Sequence, residues 1–255
     1  MATKKVKDFG KEIFYTSLAL MFFSASIYYI KQKFFKPPFV HYTEFGIDIP
    51  TNYNIHGIDV SRYQQDIDWE QVKKMNVKNI SLGFVFIKAT EGVNFVDDNF
   101  KSNMEDAKDA GMIRGAYHFF LGNRSGKTQA ANFIEVAKLQ QGDLPPVLDV
   151  EQANGASVKD IQTRIADWLQ TVEKIYKAKP IIYCNVDYYK TYIQGVFDDY
   201  PLWIAHYLVK EKPGIEKHWD FWQHSESGNV TGIRTTVDFN VYSGDSGDFK
   251  KLLLQ

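Results

Sequence analysis

The run PPVLDVE, residues 145–151, is an apolar stretch that ends in two carboxylates, Asp149 and Glu151. Its apolar residues follow one another without helical spacing, which is typical of a buried β-strand. Residues two apart on a strand point to the same face of the sheet. The run therefore predicts a buried strand that brings two acidic side chains together at its carboxyl end.

Similar apolar runs recur along the chain, and each of the first five is followed by a helical pattern. The five strands are predicted at IHGIDVS (55–61), GFVFIKAT (83–90), IRGAYHFF (113–120), PPVLDVE (145–151) and KPIIYCN (179–185). Their helices are predicted over 68–76, 95–111 and 125–140, then after a capping pattern at Ser157 and Asp160, and over 187–193. Three strand-like runs follow without a helix between them: PLWIAHY (201–207), HWDFWQHS (218–225) and TTVDFNVY (235–242).

This order of elements predicts an α/β fold. Alternating β-α units imply a parallel sheet with right-handed crossovers, and eight strands are the number that closes a TIM-type barrel. We expect a modified barrel of five β-α units followed by three strands, formed by residues 55–255 as one catalytic domain.

Composition limits the kinds of partner. Residues 1–36 carry a net charge of +5, which leaves −6 for the rest of a chain whose total is −1. An acidic body argues against nucleic acid as a partner, because binding to phosphates needs a basic face. Cys184 is the single cysteine of the sequence, so an intramolecular disulfide and a cysteine-based metal site are excluded. Its apolar neighbours predict a core thiol rather than a nucleophile.

The N-terminal segment predicts an attachment to a membrane. Residues 13–30 are apolar or uncharged, have Lys on both sides, and are just long enough as a helix to cross a bilayer core. We expect an uncleaved transmembrane anchor in residues 1–30 and a linker over 31–54. A cleaved signal peptide with small residues at 24–26 is the alternative, and it would make the protein secreted.

Acidic residues follow the predicted strands repeatedly. Asp59, Glu91, Asp149, Glu151 and Asp238 all lie at or near strand ends. The carboxyl ends of barrel strands meet at one mouth, where active sites are built. Cleavage of a glycosidic bond needs one carboxyl group that protonates the leaving oxygen and a second group that stabilises the cationic centre. Asp149 and Glu151 suit this division of labour.

Eight short motifs together resemble the family-25 glycoside hydrolases, the Chalaropsis-type lysozymes. In order, they are GIDVSRYQ, FVFIKATEG, IRGAYHFF, PPVLDVE, IIYCN, PLWIAHY, WQHS and VDFN, and they cover about residues 55–250. The resemblance implies a flattened barrel of the predicted kind. It also implies hydrolysis of the β-1,4 bond between N-acetylmuramic acid and N-acetylglucosamine in peptidoglycan strands, without a cofactor, by a monomer outside the cytoplasm.

The resemblance also assigns roles to residues. Glu151 matches the general acid/base, and Asp149 matches the acid that steers the substrate's own acetamido group. Asp59 and Asp238 match two supporting rim acids. Tyr117 matches a substrate-binding aromatic beside the reaction centre, and three further aromatic residues match positions that line the sugar groove: Tyr183, Trp203 and Trp222. Glu91 has either a structural or a substrate-orienting role.

Two other functions remain open from the sequence. A membrane-tethered module that binds peptidoglycan without cutting it would not need the Asp149–Glu151 pair. A metal-dependent peptidoglycan deacetylase would need a metal site, which we do not expect, because the spacing of the histidines matches no zinc motif. The histidines on or near strands are His56, His118, His206, His218 and His224.

Overall fold

The computed structural model describes residues 15–18, 20–26, 37–209 and 211–255. The chain divides into two compact units, Met1–Pro38 and Phe39–Gln255. All described strands lie in the second unit. The strands are β1 (Phe39–Tyr42), β2 (Ile47–Pro50), β3 (Ile55–Val60), β4 (Asn76–Val77), β5 (Ile80–Glu91), β6 (Phe95–Val96), β7 (Ile113–Leu121), β8 (Val147–Gln152), β9 (Ile181–Asn185), β10 (Leu202–Ala205), β11 (Phe221–Gly228) and β12 (Val237–Tyr242).

Helices follow the first five barrel strands and the last one. They are α1 (Trp69–Lys74), α2 (Phe100–Asp109), α3 (Gly126–Ala137), α4 (Val158–Tyr176), α5 (Val186–Tyr188) and α6 (Ser246–Leu252). A 3-10 turn at Arg62–Gln64 follows β3, and a π-helical turn at Tyr189–Ile193 continues α5. The predicted cap of α4 is present, because the Ser157 hydroxyl accepts a hydrogen bond from the Asp160 backbone N–H and donates one to its carboxylate.

Eight strands close into a barrel in the order β3, β5, β7, β8, β9, β10, β11, β12 and back to β3. The predicted α/β barrel of five β-α units and three strands is confirmed. Neighbouring strands from β3 through β11 are parallel, whereas β12 is antiparallel to both of its neighbours. The start of β12 therefore lies at the same mouth as the ends of the other strands.

Side chains alternate between the two faces of the barrel wall. Outward side chains form a core with the helices, in which α4 buries residues at helical spacing: Ile161, Ile165, Trp168, Leu169 and Val172. Inward side chains at the lower end form a second core that Phe249 of α6 closes. Cys184 is fully buried on the outward side, as predicted for a core thiol, and burial raises its pKa above that of a free thiol.

The linker predicted over residues 31–54 is wrong for residues 39–50. Strands β1 and β2 form an antiparallel hairpin, and Phe45 in its turn and Ile49 of β2 are completely buried. The Phe39 ring packs edge-on against Trp222 with a centroid distance of 5.8 Å, and Phe45 packs against Phe239 at 5.3 Å. The hairpin thus covers the outer face of β11 and β12, whereas helices cover the outer face of the earlier strands.

The predicted anchor over residues 13–30 lies partly outside the described residues. Residues 15–18 and 20–26 are helical, and the other residues of that segment are not described. Within the described part of the chain, no helix is both long enough and apolar enough to span a bilayer.

Candidate active site

The barrel mouth holds an open cleft of about 310 Å³. Five acidic side chains line it, namely Asp59, Asp149, Glu151, Glu226 and Asp238. Its aromatic walls are formed by Tyr63, Tyr117, Phe119, Tyr183, Trp203 and Tyr207. Of the described residues that line the cleft, Lys88 is the one cation. The cleft therefore combines a concentration of negative charge with ring faces suited to sugars.

The strand ends place four of these acids together. Asp59 lies near the carboxyl end of β3, and Asp149 and Glu151 lie two residues apart on β8. Asp238 stands opposite Asp59 in the antiparallel register of β12 with β3. The sequence-based expectation for Asp238 assumed a strand end, but this residue lies near a strand start. It reaches the same mouth because β12 runs in the opposite direction.

Asp59 is the centre of a hydrogen-bond network in the cleft floor. Its Oδ2 accepts from Gln223 Nε2 at 2.8 Å and from Asn240 Nδ2 at 2.7 Å. Burial raises the pKa of Asp59, while hydrogen bonds from Asn240, Gln223 and Asp238 oppose that rise. These donors stabilise an ionised Asp59 in a buried position.

Asp238, next to Asp59, is the carboxyl group of this pair that retains a proton. Burial, and then the charge of Asp59, raises the pKa of Asp238 to about 9. A protonated Asp238 donates a hydrogen bond to the Asp59 carboxylate. The pair therefore shares one negative charge near neutral pH, as expected for two carboxyl groups in one buried site.

Aromatic side chains extend this network toward the wall. Tyr183 OH donates to Gln223 Oε1 at 2.7 Å, and Tyr207 OH donates to the same oxygen. Trp203 Nε1 donates to Asn240 Oδ1 at 2.8 Å. These bonds fix the orientation of both amides, so that each presents its NH₂ group to Asp59.

The Asp149–Glu151 pair is also electrostatically strained. Burial raises the pKa of Asp149 well above its ordinary value, and the neighbouring Glu151 raises it further. Burial and the charge of Asp59 raise the pKa of Glu151, while the neighbouring Tyr183 hydroxyl lowers it. Among the described residues, the buried Oδ1 of Asp149 has no hydrogen-bond partner. The pair thus retains a proton more readily than free carboxyl groups, and one acceptor atom in the cleft is unsatisfied.

Seven of the nine site residues predicted from the sequence line the cleft. They are the four acids Asp59, Asp149, Glu151 and Asp238 and the aromatic residues Tyr117, Tyr183 and Trp203. The structure thus brings together residues from β3, β7, β8, β9, β10 and β12 at one mouth.

The prediction that Trp222 lines the groove is wrong. In the parallel register, Trp222 pairs with Ile204, and Trp203 pairs with Phe221. Side chains at paired positions point the same way, so Trp222 points outward with Ile204. It is fully buried against Phe39 and Trp219, and its Nε1 donates to the backbone oxygen of His206.

Glu91 does not line the cleft either. Its carboxylate accepts from Lys88 Nζ at 2.7 Å, and the Lys88 side chain is the one that reaches the cleft. This position does not support direct orientation of the substrate, which was one of the two roles left open for Glu91.

Sequence reasoning missed several residues that line the cleft, above all Lys88, Tyr207 and Gln223, and the buried Asn240 that hydrogen-bonds to Asp59. The signal for Gln223 and Asn240 was strand alternation. In WQHS and VDFN the inward positions are those of Gln223, Asp238 and Asn240, so the register of β11 and β12 decides which residues face the cleft. Tyr207 follows β10 within the quoted run PLWIAHY.

The histidines are not gathered into a metal site in the described part of the chain, where no group of three or more His, Cys, Asp or Glu side chains is placed to hold a metal ion. His118 is completely buried and hydrogen-bonds to Thr90 and Gln129. Burial lowers its pKa to about 3, so it stays neutral at physiological pH. This arrangement is that of a satisfied core histidine.

A TIM-type barrel with several buried carboxyl groups in one open cleft has the features of an enzyme that cleaves glycosidic bonds. The chain belongs to the glycosyl hydrolases family 25, whose model matches residues 58–233. It is a glycoside hydrolase, and the resemblance found in its motifs is confirmed at the level of the family.

Individual relatives agree with this assignment. The Escherichia coli (strain K12) protein YegX is 46% identical over 200 residues, which cover 78% of this chain and 74% of YegX. Lysozyme M1 of Streptomyces globisporus is 34% identical over 207 residues, covering 75% of this chain and 69% of that lysozyme. The structure of a family 25 glycosyl hydrolase from Bacillus anthracis has a TM-score of 0.73 and 35% identity, and covers 80% of this chain and 95% of its own.

Proposed function

We propose that this protein is a peptidoglycan hydrolase that cleaves the β-1,4 bond between N-acetylmuramic acid and N-acetylglucosamine. The observation that carries the proposal is the buried Asp149–Glu151 pair, whose pKa values are raised in a cleft of about 310 Å³. The similarity to Lysozyme M1 supports the choice of substrate. A Chalaropsis-type muramidase is the specific form that we propose.

Glu151 is proposed as the general acid and base. It is less buried than Asp149, so a glycosidic oxygen in the cleft has access to it. Burial and the charge of Asp59 raise the pKa of Glu151, so that it retains a proton at a pH where free Glu has lost it. Glu151 would first protonate the leaving oxygen and then remove a proton from the attacking water.

Asp149 is proposed to act on the substrate's acetamido group. Its unsatisfied, buried Oδ1 is suited to accept a hydrogen bond from the acetamido N–H. With the N–H held there, the acetamido oxygen attacks the anomeric carbon as the bond to the leaving oxygen breaks. Water then displaces the acetamido oxygen from the same carbon, which restores the acetamido group. Two displacements at one carbon retain the anomeric configuration.

Asp59, Asp238 and the aromatic residues are proposed to support this chemistry. The negative charge of Asp59 helps Glu151 to retain its proton. Tyr183 donates a hydrogen bond to Gln223 and also influences Glu151, whose pKa it lowers. The Tyr117 ring lies in the wall, where a sugar ring would pack against it, and Trp203 orients Asn240 toward Asp59. The catalytic domain would work as a monomer, outside the cytoplasm.

Glu151→Gln tests the acid role. We expect turnover of purified peptidoglycan to fall by about 10²- to 10⁴-fold, because the amide cannot donate an acidic proton. Binding to insoluble peptidoglycan should remain, since the side-chain shape is conserved. The matched control is Glu135→Gln on the exposed face of α3, which should leave turnover unchanged.

Mass spectrometry of the released fragments tests the bond that is cut. Incubation of purified sacculi with the full chain should release muropeptides with N-acetylmuramic acid at the new reducing end. Binding to sacculi without the release of new reducing ends would identify a binding module instead. Release of acetate without chain cleavage would identify a deacetylase.

We also propose that residues 13–30 anchor the protein in a membrane. The support is the uncharged sequence of this segment between Lys-containing flanks. The full chain should remain in the membrane fraction after alkaline carbonate extraction, whereas a chain without residues 1–36 should be released. Recovery of a shortened mature chain in the medium would identify a cleaved signal peptide.

A further inference from the structure

We propose that Lys88, held in place by Glu91 and Phe119, is the positioning cation that balances the paired carboxylates of the cleft. This inference rests on the proposed function, and it gives Lys88 and Glu91 a defined part in it. Lys88 would act through Asp149 and Glu151 and not by contact with the reacting atoms.

The backbone aims Lys88 into the cleft. Lys88 pairs with Tyr117 of β7, and the register between β5 and β7 shifts between Lys88 and Thr90. A bulge of this kind redirects a side chain and is common beside active sites. Lys88 is only 9% exposed, and lysines are rarely buried to this extent unless they are paired with an acidic group.

Three groups hold the ammonium. Lys88 Nζ donates to Glu91 Oε2 at 2.7 Å. It lies 4.6 Å from the centroid of the Phe119 ring and 5.9 Å from that of Phe95. Contact between an ammonium and the face of an aromatic ring is favourable, and more so away from water. The cation is therefore fixed in position rather than mobile in solvent.

Phe119 connects this cation to the reaction centre. Phe119 on β7 stands next to Asp149 on β8 in the strand register, so the ammonium over its ring lies on the Asp149 side of the cleft. Five acids line the cleft, and Lys88 is the single cation among its described lining residues. The positive charge of Lys88 partly offsets the negative charge of those acids.

The direction of the electrostatic effect follows from charge and position. Burial and the neighbouring Glu151 raise the pKa of Asp149, and the charge of Lys88 lowers it. Burial and Asp59 raise the pKa of Glu151, and Lys88 lowers that one as well. Glu91 has the opposite effect on Asp149. Lys88 thus keeps the pair from binding a second proton, which would block the role of Asp149 as an acceptor.

Lys88→Met should move the pH profile of kcat/KM. Without the cation, both carboxyl groups hold protons more tightly, so the acidic and alkaline limbs should both shift to higher pH, by about one unit. On the acidic side, kcat should fall about tenfold, with a smaller change in KM. Lys88→Arg, which keeps the charge, should restore the limbs toward their wild-type positions. A purely structural role would lower activity equally at every pH.

Glu91→Gln should shift the pH profile in the direction opposite to that of Lys88→Met. This substitution removes a negative charge near Asp149, so the acidic limb should move to lower pH. The amide oxygen at position 91 can still accept from Lys88 Nζ, which keeps the ammonium in place. It also covers the case in which Lys88→Met fails to fold. The matched control is Lys251→Met. It breaks an exposed ion pair with Asp248, whose partners are three residues apart like Lys88 and Glu91, and it should leave the pH profile unchanged.

The outcomes separate this inference from the proposed function. Wild-type chain that does not cleave peptidoglycan would overturn the proposed function. Active wild-type chain whose limbs stay in place in Lys88→Met, or move in the same direction in Glu91→Gln as in Lys88→Met, would overturn the role of Lys88 alone.

Discussion

The two ends of the barrel interior are built by the same strands but have opposite chemistry. At the lower end, Phe84, Phe86 and Phe221 pack together with ring centroids 5.2–5.8 Å apart. At the mouth, two to four residues further along, β5 and β11 carry Lys88 and Gln223 instead. One end has packed apolar rings, and the other has buried carboxyl groups, of which Asp59 is held by a hydrogen-bond network and Asp149 has an unsatisfied oxygen.

The difference shows how one short strand serves both stability and chemistry. Burial of the lower rings excludes water and stabilises the fold. The same rigid wall then holds Asp59 and Asp149 in positions where their charges are costly but reactive. Substitutions at the lower end should therefore change stability at constant activity, and substitutions at the mouth should do the reverse.

The largest effect is expected at the lower end. Phe221→Ala removes a completely buried ring that contacts Phe84, Phe86 and Tyr242. The free energy of unfolding should fall by about 3–5 kcal/mol, because the cavity cannot fully collapse. Urea denaturation measures this, while kcat of the folded fraction should stay near wild type. Ile175→Ala on the exposed side of α4 is the control. A large loss of kcat in folded Phe221→Ala would contradict the separation of the two ends.

Asp59→Asn tests the mouth. The amide keeps the shape but removes the charge that Gln223 and Asn240 stabilise, and kcat/KM should fall by about 10²-fold. The charge of Asp59 raises the pKa of Glu151, so the alkaline limb should also move to lower pH. Steady-state kinetics across pH would measure both effects. Asp106→Asn on α2 is the exposed control, and an alkaline limb that does not move would contradict the electrostatic role.

Trp203→Phe and Trp222→Phe form a matched pair on neighbouring strands. Both rings are at most 1% exposed, and each Nε1 donates one hydrogen bond. Each variant should lose about 1–2 kcal/mol of stability. Only Trp203→Phe should reduce kcat, by about tenfold, because its bond orients Asn240 toward Asp59. Equal losses of kcat in the two variants would mean that the inward direction of Trp203 has no functional importance.

The last prediction concerns the dependence of stability on pH. The pKa of Asp238 is raised from 3.8 to about 9 in the folded chain. Between these values the folded state holds a proton that the unfolded state has lost, so the free energy of unfolding falls as pH rises. In Asp238→Asn this fall should be less steep, by at most about 1.4 kcal/mol per pH unit. Urea unfolding at pH 5–9 gives the slopes, and identical slopes would contradict the assignment.

Much of the fold was predictable because its signals are local. Apolar runs of strand length alternate with amphipathic helices, and Ser157 marks a helix start by its capping pattern. The hairpin of β1 and β2 was not predictable in this way. Its strands have four residues each, and its stability comes from packing on Trp222 and Phe239, which are more than 170 residues away in the chain.

The candidate site was predictable where position along a strand is enough. Asp59, Asp149 and Glu151 lie at the ends of parallel strands, and all such ends meet at one mouth. The side of the barrel wall to which each side chain points was harder to predict. A shift of one residue in register exchanges the inward and outward faces. The match to the family motif placed Trp222 in the groove, but only the register shows that Gln223 faces inward and Trp222 outward.

By itself, the sequence determined the order of the eight barrel strands and of the five helices between them, the acids at the mouth and the family to which the chain belongs. These follow from local hydrophobic pattern and from motifs that are read along the chain. Only the tertiary structure decided the antiparallel direction of β12, the inward face of Gln223 and Asn240, and the clamp of Glu91 and Phe119 on Lys88. The physical reason is that register, strand direction and buried charge pairs depend on contacts between residues that are distant in sequence.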